Sequence, residues 1–151
     1  MKQHDKFGGF TLLEVLIVLA LTLILVGWPI ISYQKWMARY HVHDFCAHFE
    51  TVYKRCQQMA MLTGRPARLK LNRSKRCIET EMVELTGDRV FDSWVVPSEV
   101  TMQSNTTIMF NGTTGNLAHP ALTVYFYNEI DKQPITYTVN VGSGKLEKKE
   151  R

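Results

Sequence analysis

Three rhythms of apolar residues run along this chain. The first is an unbroken block: from Phe10 to Ile31 the only ionisable residue is Glu14. These 22 residues (31 − 10 + 1) rise roughly 33 Å as a helix, enough for a hydrocarbon core ~30 Å thick. The block is therefore predicted to cross a membrane. In the second rhythm, Val42, Phe45, Phe49, Val52, Cys56, Met59 and Ala60 recur at spacings of three and four. Tyr53 widens this stripe, and Asp44, Glu50, Lys54, Arg55 and Gln57 fill the opposite face, as in an amphipathic helix. Thr63-Gly64-Arg65-Pro66 supplies the stop. One helix is predicted from about Thr11 to about Leu62, apolar all round in its first half and one-sided in its second. Gly27 and Pro29 predict a kink or break inside it, because proline removes a helix hydrogen bond.

After Pro66 the period changes to two. Arg68–Leu71 alternates, Cys77–Val83 and Val90–Val96 read as strands, and a short run at Thr107–Phe110 leads into Asn111-Gly112. The clearest pair comes last, residues 121–127 and 135–141, joined by a polar turn through Asp131. This predicts an α+β chain whose long N-terminal helix packs on one small antiparallel sheet of about four to six strands.

Length and charge narrow the picture. A chain of 151 residues has room for one sizeable core. A net charge of +4 is too mild to imply nucleic-acid binding by itself. Locally, however, Arg65, Arg68, Lys70, Arg73, Lys75 and Arg76 follow one another with no acid among them. Such a stretch permits contact with DNA phosphates; it equally suits a solvated loop and an edge strand kept soluble by charge.

Three cysteines, Cys46, Cys56 and Cys77, fit no zinc or redox spacing. Cys46 and Cys56 are ten residues apart on one helix, about 15 Å of rise, whereas a disulfide needs Cα atoms within about 7 Å. Cys77, in an early strand, is the candidate to meet one of them; the remaining thiol would bond another subunit or stay buried. His41, His43, Asp44, Cys46 and His48 resemble a metal cluster in composition, but only Asp44 and His48 share a helix face. No metal or cofactor is implied. Nor is a nucleophile–base pair, a phosphate loop or a carboxylate pair present in the pattern, so a non-enzymatic role is expected, with a membrane-tethered enzyme as the rival reading.

The opening MKQHDKFGG is short and charged and ends in two glycines immediately before the apolar block. An ordinary secretory signal is cut after its apolar region, near small residues; here that region continues as WPIISYQKW. The composition break lies at Gly9–Phe10. Gly8-Gly9-Phe10-Thr11-Leu12-Leu13-Glu14 resembles the processing signal of type IV pilins and pseudopilins. The resemblance implies cleavage after Gly9 by a prepilin peptidase, methylation of the new amine of Phe10, and a pairing of Glu14 with the N-terminal amine of a neighbouring subunit during assembly. Read from the residues alone, Thr11-x-x-Glu14 is a capping box; a carboxylate inside an apolar span costs ~3 kcal/mol or more and asks for a partner either way.

The family also implies a pilin-like fold: a leader over 1–9, a membrane and filament-core helix over 10–31, its amphipathic continuation over 32–64, and a globular β domain over 65–151. Lys2 and Lys6 place the N-terminal end in the cytoplasm, with the rest outside and later in an envelope filament. IMFNGTTGN and TYTVNVGSGKLE are similar to minor pseudopilins of the GspH/ComGD kind. That resemblance implies a competence filament for DNA uptake, with a secretion or adhesion filament as the alternative. The partners expected are other pseudopilins, the prepilin peptidase, the membrane and DNA.

Overall fold

The computed structural model describes residues 11–118, 122–140 and 142–149, with side chains for all of these except 26–32. A helix, α1 (Leu12–Thr63), is followed by β1 (Ala67–Asn72), β2 (Cys77–Val83), β3 (Arg89–Val95), β4 (Val100–Met102), β5 (Thr106–Phe110), β6 (Leu122–Asn128), β7 (Gln133–Val139) and β8 (Leu146–Lys149). The chain divides into two units between Met37 and Ala38.

The first unit holds the N-terminal part of α1. Thr11 caps it: the Glu14 amide donates to Thr11 Oγ1 at 3.3 Å and to the Thr11 carbonyl at 3.0 Å. This satisfies a donor that the helix leaves unpaired. α1 continues through Gly27 and Pro29, so the expected break is not a break in helical backbone. The absent proline N–H removes one bond of the ladder without ending it.

The second unit contains the rest of α1 and all eight strands. Val42, Phe45, Cys46, Phe49, Tyr53, Cys56 and Ala60 are buried, with Val52 and Met59 half-buried beside them. The stripe read from the sequence is therefore the buried face. α1 ends at Gly64, whose φ of +67° is the left-handed conformation that closes a helix and that glycine adopts without strain.

Where one sheet of about four to six strands was expected, two sheets of four form, in the orders β3-β2-β1-β5 and β4-β6-β7-β8. All their pairings are antiparallel. Both sheets cover the helix. Phe45 and Phe49 meet Phe126 of β6 edge-on at 5.2 Å, Phe49 lies 5.0 Å from Tyr137 of β7, and Tyr53 lies 4.9 Å from Phe110 of β5. Edge-to-face contacts of this kind add to the burial of large rings.

Candidate functional site

At the start of α1, every described side chain from Thr11 to Leu25 is exposed. Leu12 is 80% and Leu25 71% accessible. Glu14 is the only charge among them, and its carboxylate takes no partner among the described residues. Gly9 and Phe10, the expected cleavage and methylation site, lie outside the described residues. No helix among the described residues is long and apolar enough to cross a membrane.

The six cations from Arg65 to Arg76 divide among several roles. Arg68 pairs with Glu81 at 3.5 Å, and Lys70 and Lys75 approach Glu79 at 3.9 and 3.7 Å. Arg73 donates to the Gln103 carbonyl at 3.2 Å, while Arg76 reaches the carbonyls of Pro97 and Val100 at 3.0 and 3.3 Å. Arg65 lies exposed beyond the end of the helix. β1 and β2 pair so that β2 supplies the acids that the basic segment lacks. Sequence reading missed this because Glu79 and Glu81 enter only through strand pairing.

The three cysteines are unbridged in this structure, and strand parity turns Cys77 away from the two on the helix. Ile78, Thr80 and Met82 of β2 point into the core with the helix. Cys77 therefore points to the opposite face of the sheet, where its thiol meets Glu79 Oε1 at 3.7 Å. Cys46 and Cys56 are buried on the helix side. Burial pushes the Cys56 thiol up to about 12. Cys77 is also raised, by burial first and then by the Glu79 carboxylate.

In the histidine-rich segment His41, Asp44 and His48 line one hollow beside Trp94, so His41 shares the helix face expected for Asp44 and His48 alone, because i and i+7 point nearly the same way. His41 Nδ1 contacts Glu99 Oε1 at 2.9 Å, and this hydrogen bond holds Glu99 below the usual carboxylate range. His48 stands edge-on to Trp94 at 4.9 Å. Among the described residues no group of three His, Cys, Asp or Glu side chains is arranged to hold a metal.

The two glycine-rich segments close on the helix. Tyr53 donates its hydroxyl to the Gly144 carbonyl at 2.8 Å, and burial raises its titration well above the usual tyrosine range. Gln57 Nε2 donates to the Gly115 and Ser143 carbonyls at 3.1 and 3.3 Å. Two turns far apart in sequence are thus tied to one helical face. Nearby, Tyr137 donates to Glu50 Oε1 at 3.1 Å across the core.

A profile of the prokaryotic N-terminal methylation motif matches residues 5–28. No curated protein matches the chain. The fold is similar to that of the minor pseudopilin EpsH from the Type 2 Secretion System of Vibrio cholerae. The TM-score is 0.52 over 68% of this chain and 91% of that chain, at 8% identity. The fold is pilin-like, and the methylation motif lies at its N-terminal end.

Proposed function

We propose that this chain is a minor structural subunit of a type IV pilus-like competence filament that serves DNA uptake. A prepilin peptidase cuts it after Gly9 and methylates the amine of Phe10. The helix over 10–31 anchors it in the membrane, N-terminus inward, and then passes into the filament core. Glu14 pairs there with the N-terminal amine of a neighbouring pseudopilin. One observation carries this reading: a carboxylate with no partner among the described residues, on an exposed apolar helix, within a methylation motif. Cleavage creates the cation that such a carboxylate needs. The capping bond at Thr11 uses the Glu14 amide, which leaves the carboxylate available for that partner.

The competence role rests on the likeness of IMFNGTTGN and TYTVNVGSGKLE to pseudopilins of the ComGD kind. In this reading DNA is handled by the assembled filament, and Arg65–Arg76 acts mainly in sheet and turn structure. A type II secretion-like filament is the second reading, favoured by the likeness to EpsH. Deleting the gene separates them: loss of transformation with normal protein export supports competence, and the reverse supports secretion. Glu14→Val tests the site itself. The variant is expected to insert and be cleaved yet stay out of filaments; normal incorporation would refute the pairing.

A further inference from the structure

The outer face of the first sheet is ordered in rows. Strand register places Phe91, Glu81, Arg68 and Met109 side by side across β3, β2, β1 and β5, and Ser93, Glu79, Lys70 and Thr107 across the next row. These residues alternate with the buried ones and face away from the core. The cations form a column on β1 and the anions a column on β2, bridged at 3.5 and 3.9 Å. Apolar side chains flank the columns. On the edge strand β3, Phe91 is 69% and Val95 75% exposed; Met109 lies half-buried on β5. Large apolar side chains along an edge strand favour association unless something covers them.

We propose that this face pairs with the same face of a second copy of the chain, about a two-fold axis parallel to the strands between β1 and β2. That rotation lays the cation column of each copy over the anion column of the other. Glu81 then meets Arg68 of the second copy, Glu79 meets Lys70, and Phe91 meets Met109. The other face-to-face two-fold, with its axis across the strands, sets cations on cations and acids on acids, and repulsion disfavours it. Sheets packed about 10 Å apart leave room for these side chains. The apolar flanks supply the burial that drives association. The charges fix orientation more than affinity, because desolvation offsets much of their attraction. The contact is isologous and closes at two chains, so it is not a head-to-tail filament contact and does not rest on the filament reading.

Within one chain, Phe91 and Met109 are three strand spacings apart, roughly 14 Å at ~4.8 Å each; across facing sheets about 10 Å apart they lie closer, though still beyond the ~7 Å reach of a disulfide. The test therefore uses the full chain carrying Cys77→Ser, in detergent micelles, with a short bis-maleimide cross-linker. Phe91→Cys combined with Met109→Cys is expected to give a cross-linked dimer on a denaturing gel, while either substitution alone stays monomeric. No dimer from the combination, or equal dimer from the single substitutions, overturns the proposal. Charge exchange gives a second reading, because partner and fold are tested separately. Glu81→Lys alone and Arg68→Glu alone should each weaken pairing roughly tenfold by opposing like charges. An equimolar mixture of the two should restore it, because the new lysine then faces the new glutamate and the native pair faces across the other half. A mixture that pairs no better than its parts overturns the proposal.

Discussion

Gly112 lies flat against Gly64: a Cβ on Gly112 would stand 2.4 Å from both the carbonyl carbon and the carbonyl oxygen of Gly64. The contact joins the end of α1 to the turn after β5, and backbone atoms on both sides leave nothing flexible to yield. Gly112→Ala is predicted to destabilise the fold by about 1–3 kcal/mol, the usual range for overpacking. Thermal unfolding followed by circular dichroism checks this, and an unchanged midpoint would remove the close approach from the account.

The thiols should differ in reactivity by position. Cys46 and Cys56 are buried, out of reach of a reagent, and burial pushes the Cys56 thiol up to about 12, so Cys56 supplies little thiolate at neutral pH. Maleimide labelling of the native full chain is expected to modify Cys77 alone, and slowly, because its thiol is also raised. Mass mapping after denaturation should then find all three labelled. A disulfide from Cys77 to either helical cysteine would contradict the strand parity of β2.

The contact between His41 and Glu99 predicts an acid-side loss of stability. Glu99 is held below its ordinary value of 4.5, chiefly by the hydrogen bond from His41. A carboxyl depressed in the folded state stabilises above its unfolded value, and that stabilisation disappears as pH falls through the folded value. Unfolding free energy should therefore decline as pH drops below about 4.5, and Glu99→Gln should flatten that decline. Identical acid profiles for the two proteins would show that the pair adds nothing.

Much of the fold was legible from period alone. The stripe from Val42 to Ala60 became the buried face, and six strands lie close to where alternation placed them. The division into two sheets was not legible. Val100–Met102 is three residues long, and Leu146–Lys149 reads as charged tail because lysines occupy its exposed edge. Without those two strands the second sheet reduces to the β6–β7 hairpin. The candidate site divides the same way. Thr11 and Glu14 were recognised by spacing, and their capping bond follows from it. The neutralisation of Arg68 and Lys70 depends on register with β2, and the fate of Cys77 depends on which side of that strand it occupies. Neither is set by neighbours in sequence. Gln57 and Tyr53, which tie the glycine turns to α1, carried no signal beyond their place on the helix.

The filament reading depends first on the N-terminus. The most direct measurement is the mass of the N-terminal peptide after co-expression of the full chain with a prepilin peptidase. The account predicts a chain that begins at a methylated Phe10; a chain that keeps Gly9 and everything before it would contradict the account.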